Sequence, residues 1–181
     1  MKILYHHRIA SKDGQYVHIE EMINSLRKIG HEVVVVEPAQ LTKKDFGKSS
    51  GAVQSLRSFL PGFMHELIEF SYCFFDLLKL VLSIIKHKPD CIYERYNLFF
   101  ISGILAKKIF KLPLILEINA PLFFERQKNH GIQLRLLAKW SERFVWRQAD
   151  FVLPVTQVLA QMVLAVNVND VHCLVFANGI N

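Results

Sequence analysis

The sequence predicts an α/β fold built around a doubly wound parallel sheet. Short apolar runs alternate with segments of helical periodicity along the 181 residues, an order typical of parallel strands joined by right-handed crossovers. Residues 33–36 are four consecutive valines, a composition favoured in strands that are buried on both faces. The length favours one domain with a sizeable core.

The predicted elements follow this Rossmann-like order. After the first strand come a polar loop around Gly14 and a helix with apolar residues at helical spacing from Ile19 to Ile29. Gly30 is expected to end that helix, because a C-terminal cap favours left-handed backbone. Residues 38–62 are rich in Pro, Gly, Lys and Ser and are predicted to form a long loop. The predicted strands lie near 2–6, 33–37, 91–95, 113–118, 151–155 and 172–176, and the later helices near 63–85, 98–110, 132–148 and 156–165.

The segment Phe63–Ile85 is densely apolar and could contact a membrane. Charged residues at positions 66, 69, 76 and 79 interrupt it, which a spanning helix would rarely tolerate. Glu69, Asp76 and Ser83 recur every seven residues and form a narrow polar stripe beside a wide apolar face. Two interpretations stay open: a helix packed between the sheet and another helix, or one that also touches a bilayer or a partner.

Charge and cysteine content restrict the partners and the compartment. The 22 Lys and Arg residues against 16 Asp and Glu residues leave a net charge of +6, which favours anionic partners. The basic residues are scattered, so no nucleic-acid partner is predicted. Three widely spaced cysteines without a CxxC pair indicate a reduced, cytoplasmic setting. The basic loop Lys43–Arg57, followed by Phe59 and Phe63, predicts peripheral binding to an anionic membrane surface at its inner, cytoplasmic face.

Ligands of doubly wound sheets bind at the carboxyl ends of the strands. Glu94 and Arg95 end one predicted strand, and Glu117 and Asn119 end the next. Such side chains can bind sugar hydroxyls in directional pairs; alternatively, Glu94 and Arg95 cap the strand or form a surface ion pair. The Ala-Pro after Asn119 would aim its amide into the cleft. The whole edge comprises His6–Gln15, Glu37, Glu94–Asn97, Glu117–Arg126, Thr156 and Asn178–Gly179.

Gly14 precedes a helix N-terminus, where free N–H groups suit a phosphate or a carboxylate, although a simple turn glycine is equally compatible. A dinucleotide site would want G-x-G-x-x-G, but the loop reads S-K-D-G-Q-Y, so a ribose-binding role for Glu37 is disfavoured. His6, His7 and His18 could converge on the pocket, whereas His31 lies at the opposite end of the sheet. No carboxylate follows these histidines at ligand spacing, so no metal site is predicted.

Five segments carry a family resemblance over nearly the whole chain. They read GQYVHIEEMINSLRKIGHEVVVVEP, IYERYNLF, LPLILEINAPLFFER, ADFVLPVTQVLAQ and FANGIN. In this order they resemble the N-terminal half of GT-B glycosyltransferases, specifically the retaining group called family 4. The first resembles that family's opening loop, helix and second strand, and the last resembles the motif that opens its interdomain linker.

The resemblance implies a role for each candidate residue. Gly14 and Gln15 would contact the donor diphosphate, and His18, Glu94, Arg95 and Asn119 would line the acceptor cleft. Asn119 falls where many members have a histidine that contacts the reacting sugar. The catalytic group is unknown, with Asn119 and His18 as the best candidates. The resemblance implies a nucleotide-sugar substrate, no prosthetic group and no metal.

The resemblance also implies a domain organisation. Residues 1–176 would form the acceptor-side domain and 177–181 would begin the linker, with the donor-binding C-terminal domain absent from this chain. The full protein would be a hexosyltransferase-like enzyme of polysaccharide biosynthesis that transfers a sugar to a glycan or lipid-linked acceptor, and the isolated chain would be inactive. The alternative is a non-catalytic nucleotide-binding or interaction module of the same fold.

Overall fold

The computed structural model describes residues 1–9, 14–38, 61–129, 131–166, 168–169 and 172–177, with only the backbone of Gly14 and Gln15. Five strands form one sheet with the order β2-β1-β3-β4-β5, and every neighbouring pair is parallel. The strands are β1 Lys2–His6, β2 Glu32–Val36, β3 Cys91–Arg95, β4 Leu114–Ile118 and β5 Phe151–Pro154. The predicted α/β, Rossmann-like fold class is confirmed.

Six helices connect or follow these strands in the described part of the chain. They are α1 Gly14–Lys28, α2 Gly62–His87, α3 Ser102–Phe110, α4 Leu122–Asn129, α5 Arg135–Gln148 and α6 Gln157–Leu164. Gly30 follows α1 with a φ of 90°, the left-handed conformation predicted for that stop. Lys88 ends α2 in the left-handed region and donates its backbone N–H to the Ile84 carbonyl.

Both faces of the sheet carry apolar side chains. Because each face must be buried, helices pack on both, and the fold is doubly wound. On one face, Ile19 and Ile23 of α1 pack against Ile3 and Tyr5 of β1 and their neighbours. On the other face, a larger core joins the middle strands to α2, α3, α5 and α6. The strand residues alternate between these two cores, as the two-residue period of a strand requires.

The segment predicted as a sixth strand, 172–176, pairs with β5 only through a parallel bridge from Cys173 to Val152. Leu174 and Phe176 donate backbone N–H groups to the carbonyls of Val152 and Pro154. A longer ladder would need a return bond from residue 154. Because Pro154 has no N–H group, that bond cannot form, and no strand extends here among the described residues.

Helix α2 has the reverse orientation of an ordinary amphipathic helix: its polar stripe faces the protein and its apolar face points outward. Its acidic residues Glu66 and Asp76 are buried, at 6% and 2% exposure, while large apolar side chains such as Leu78 and Leu82 face outward at 60% and 68%. The polar stripe therefore packs against the protein, and no described helix is long and apolar enough to cross a membrane. The basic loop Lys43–Arg57, Phe59 and the linker residues 178–181 lie outside the described residues.

Candidate functional site

The carboxyl ends of β1, β3 and β4 carry two separate groups of charged side chains, one on each face of the sheet. The Glu117 cluster, on the face covered by α1, consists of Glu117, Tyr93, Arg95, Asn119 and His18. The His6 cluster, on the opposite face, consists of His6, Arg8, Asp76, Glu94 and Ser102. The chain reverses its strand order between β1 and β3, so both clusters lie at the topological switch point, where ligands of such sheets bind.

Glu117 accepts from several donors although its side chain is buried. Its Oε2 accepts from the Tyr93 hydroxyl at 2.9 Å. Its Oε1 accepts from Arg95 Nη1 at 3.1 Å and from Asn119 Nδ2 at 2.6 Å. His18 Nε2 lies 3.4 Å from the same oxygen but is not aligned as a hydrogen-bond donor. One buried carboxylate thus fixes two side chains that the sequence predicts at the site, Arg95 and Asn119.

The local fold explains why these groups meet. Tyr93 and Arg95 are two residues apart on β3, as Glu117 and Asn119 are at the end of β4, so each pair shares a face. β3 and β4 are in parallel register with Arg95 opposite Glu117. His18 reaches the same place from the second turn of α1. Burial and the Glu117 charge raise the pKa of Tyr93 well above its usual value, so the phenol stays protonated and donates.

The His6 cluster is a buried network of opposite charges. The His6 ring, 1% exposed, places Nε2 at 2.9 Å from Asp76 Oδ2 and Nδ1 at 3.4 Å from Glu94 Oε1, close enough for ion pairs without aligned hydrogen bonds. Asp76 also accepts from Arg8 at 3.0 Å and from Ser102 at 2.7 Å. Burial alone would lower the pKa of His6, but the two carboxylates raise it to about 9.

Glu94 therefore does not join the other predicted acceptor residues. The expectation that it converges with His18, Arg95 and Asn119 is wrong, because consecutive strand residues point to opposite faces of the sheet. Its side chain is buried on the far face, next to His6 and the first turn of α3. His18, Arg95 and Asn119 do come together, on the other side of the sheet.

The start of α1 lies beside the Glu117 cluster. Gly14 and Gln15 form its first turn, and His18, which approaches Glu117, lies one turn further on. The helix has no acidic residue in that turn, so its N-terminal N–H groups face no negative charge from their own helix. The loop residues 10–13 lie outside the described part of the chain.

His7 and Glu37 lie in a shallow groove between α1 and β2. The cavity, of about 320 Å³, is also lined by Tyr16, Glu20 and Arg27. His7 Nε2 is 3.9 Å from Glu37 Oε2, and burial lowers the pKa of His7 to about 4. The imidazole is therefore neutral at physiological pH. His6 and His7, adjacent in sequence, occupy opposite faces and carry different charges.

Sequence reasoning placed Glu117 in the site region without recognising its central role. The available signal was the spacing Glu117-x-Asn119 at the end of a buried strand, which puts both side chains on one face. Across the described residues, no three His, Cys, Asp or Glu side chains are grouped so that they could hold a metal ion.

The sheet and its helices form a Rossmann-like domain of the GT-B type. A model of Glycosyltransferase Family 4 matches residues 12–181, and the chain belongs to this family. No curated protein sequence matches it.

Solved structures with the same fold include several that hold UDP or a UDP-sugar. The Staphylococcus aureus MnaA–UDP structure aligns with a TM-score of 0.65 at 16% identity, covering 98% of this chain and 45% of that one. The Neisseria meningitidis UDP-GlcNAc 2-epimerase bound to UDP-GlcNAc aligns with a TM-score of 0.63 at 13% identity, covering 98% and 46%. Anabaena Alr3699/HepE with UDP-glucose aligns with a TM-score of 0.61 at 17% identity, covering 100% and 44%. The chain spans less than half the length of each of these structures.

Proposed function

We propose that residues 1–176 are the acceptor-side domain of a nucleotide-sugar-dependent glycosyltransferase, which transfers a sugar to a glycan or lipid-linked acceptor. The observation that carries this proposal is the Glu117 cluster at the switch point of a family 4 chain. In it, Glu117 holds an amide and a guanidinium beside an imidazole, in fixed positions. Such groups recognise sugar hydroxyls through directional hydrogen bonds.

Within this proposal, the residues divide into those that touch the acceptor and those that position them. His18, Arg95 and Asn119 contact the acceptor, and Asn119 and His18 are the best candidates for a catalytic role. Glu117 is a positioning residue, because its oxygens are occupied by protein donors. Glu94 is left out of the contact set, since it is buried on the other face.

The donor is proposed to be a nucleotide sugar. The structures named above contain UDP, UDP-GlcNAc or UDP-glucose, and the backbone N–H groups of Gly14 and Gln15 at the start of α1 suit a diphosphate. A second domain, reached through a linker that begins at residues 177–181, would supply the main donor contacts. Transfer would then need both domains to hold donor and acceptor in register, without a metal or a prosthetic group.

The proposed location is the cytoplasmic face of a membrane, where a lipid-linked acceptor would be accessible. The net charge of +6 supports an anionic membrane surface as a partner. Polysaccharide biosynthesis is the process that this acceptor class would serve.

Acceptor binding can be tested on this chain directly by NMR. Titration of the ¹⁵N-labelled chain with monosaccharides, disaccharides and a polyprenyl-phosphate sugar should shift the amide signals of His18, Arg95 and Asn119. Asn119→Ala should weaken the binding of the best ligand by roughly tenfold, as expected for one lost hydrogen bond. Asn129→Ala, an exposed amide on α4, is the matched control and should leave binding unchanged.

Two outcomes would contradict the proposal. Shifts with UDP but with none of the sugars would favour the non-catalytic nucleotide-binding module instead. Sugar shifts that cluster away from the carboxyl edge of the sheet, with Asn119→Ala behaving like Asn129→Ala, would mean that the acceptor site is elsewhere.

A further inference from the structure

The outward face of α2 is almost entirely apolar along the whole helix. Its exposed side chains include Leu67, Ile68, Phe74, Phe75, Leu78 and Leu82, each between 48% and 68% exposed. Their spacing places them on one side of the helix. A continuous apolar surface of this length is unusual on a protein that exposes it only to water, and marks a contact surface.

The charges around this face are sorted by sign. The three acidic residues of α2 are turned away from it or neutralised: Glu66 and Asp76 are buried, and Glu69 pairs with Arg126 at 2.7 Å. The basic residues stay outside. Lys86 is exposed, and Lys79 Nζ lies 5.3 Å above the exposed ring of Phe75.

Helix α5 extends the surface with the same chemistry. Its Trp140 packs edge-to-face on Phe70 of α2, with ring centroids 6.5 Å apart, so the two helices are neighbours. Trp140 is 47% exposed, and the flanking Lys139 and Arg143 are exposed. The only acidic residue of α5, Glu142, is buried and accepts from Tyr96 and from the Phe123 backbone.

We infer that the α2–α5 surface, formed by the outward faces of these two helices, docks on the surface of an anionic lipid bilayer. The apolar side chains of α2 enter the boundary between headgroups and acyl chains, as in helices that lie in a membrane interface. Trp140 sits at headgroup level, where amphipathic aromatic rings are favoured. Lys79, Lys86 and Arg143 face the anionic headgroups. The inference rests on the proposed membrane location but on no step of sugar transfer.

The positive charge around this face favours an anionic bilayer over two other occupants, a second copy of this chain and residues 39–60. A second copy docked through the same surface would bring lysines and arginines against one another, which is unfavourable. Residues 39–60 carry Lys43, Lys44, Lys48 and Arg57 but only one acidic residue, Asp45, so that segment adds to the positive charge instead of balancing it. An anionic bilayer complements both the apolar centre and the basic surroundings.

The test is sedimentation with vesicles of equal parts phosphatidylcholine and phosphatidylglycerol. We expect the chain to bind them and to bind pure phosphatidylcholine much more weakly. Leu78→Glu with Leu82→Glu should lower the partition coefficient at least about tenfold. Ile29→Glu with Val158→Glu is the matched control. These side chains are 70% and 68% exposed, in the turn that follows α1 and on α6, and the added charge is the same. The control should keep most of the binding, losing only what its two added negative charges cost.

A second measurement does not depend on any variant. Of the two tryptophans, Trp140 is 47% exposed whereas Trp146 is 3% exposed. Brominated lipids in the same vesicles should therefore quench the Trp140 emission and leave that of Trp146. Quenching that is lost in the Leu78→Glu, Leu82→Glu variant would support this docking face.

The outcomes separate the docking surface from the proposed location. If the wild-type chain binds vesicles but shows no Trp140 quenching, or if both double variants lose binding equally, the α2–α5 surface is the wrong one while the membrane location stands. If the wild-type chain does not bind, both are wrong. A dimer in solution that Leu78→Glu with Leu82→Glu dissociates would assign the surface to a second copy and overturn the inference.

Discussion

At the scale of single residues, Glu117 organises the candidate site. Its carboxylate, 1% exposed, accepts from Tyr93, Arg95 and Asn119. A buried charge is tolerated only when it is paired and hydrogen-bonded, and here the guanidinium supplies the opposite charge. The same contacts hold Arg95 and Asn119 in single orientations, which a site for directional hydrogen bonds requires.

Glu117→Gln keeps the shape of the side chain but removes its charge, and the loss of that charge should destabilise the chain. The buried Arg95 guanidinium would lose its counter-charge at 3.1 Å, and breaking such a pair leaves an uncompensated charge. We expect a loss of about 2 kcal/mol or more in the free energy of unfolding, measured by urea denaturation.

The control for this prediction is Glu32→Gln. Glu32 pairs with Lys2 at the same distance, 3.1 Å, but its side chain is 62% exposed. Surface pairs contribute little, so the change should stay within about 0.5 kcal/mol. Equal effects of the two substitutions would show that Glu117 does not hold a buried charge.

At the scale of elements, α3 begins directly against the buried carboxylate of Glu94. A Cβ atom on Gly103 would lie 1.5 Å from Glu94 Oε2 and 2.5 Å from its carboxylate carbon. Glycine at this point lets the helix approach the end of β3. The negative charge also lies at the positive N-terminal end of α3, a favourable arrangement for the helix dipole.

Gly103→Ala should therefore destabilise the chain by about 1–3 kcal/mol, as overpacking in a buried site does. Relief would require Glu94 to move, and Glu94 is buried beside His6. Gly62→Ala is the matched control. The three atoms nearest to its Cβ would all belong to the amide end of the exposed Gln133 side chain, the first at 2.7 Å, and this side chain can turn aside. The measurement is the Tm of the two variants. An equal change in Tm for both would contradict the packing argument.

Helix starts mark the limit of prediction from this sequence at the level of elements. The five strands of the sheet lie within a residue or two of the predicted ranges because their apolar runs are local. Helix α4 was not predicted, and α5 begins three residues later than expected. Their N-terminal N–H groups are capped from other helices: Glu142 of α5 accepts from Phe123, and Glu66 of α2 accepts from Gln133 and Leu134. A cap supplied from a distant residue leaves no local pattern to recognise.

The same limit applies to the site. The carboxyl edge and three of its residues follow from the order of elements, because parallel strands end together. Glu94 does not belong to the Glu117 cluster because its side chain lies on the other face of the sheet. A shift of one residue along the strand decides which face a side chain occupies. The inverted orientation of α2 was likewise hidden, since an apolar stretch with a polar stripe reads the same whichever side faces the protein.

At the scale of the whole molecule, His6 and His7 place a protonated imidazole on one face of the sheet and a neutral imidazole on the other. Both side chains are 1% exposed. His6 lies between two carboxylates and stays protonated up to a pKa of about 9, whereas burial keeps His7 neutral down to a pKa of about 4. Two adjacent residues, the last of β1 and the one that follows it, thus tie the stability of the fold to pH in opposite directions.

The free energy of unfolding should be highest near pH 6.5 and fall on both sides. A raised folded pKa gives His6 a contribution that is complete below its unfolded pKa of 6.5 and is lost as pH rises toward 9. The lowered folded pKa of His7 gives a contribution that is present above 6.5 and is lost as pH falls toward 4. Each limb should amount to a loss on the order of 3 kcal/mol.

Urea denaturation across pH 4–9 measures the free energy of unfolding along this profile. His6→Asn should flatten the alkaline limb and leave the acid limb, and His7→Asn should do the reverse; a profile that keeps both slopes in both variants would assign the pH dependence to other groups.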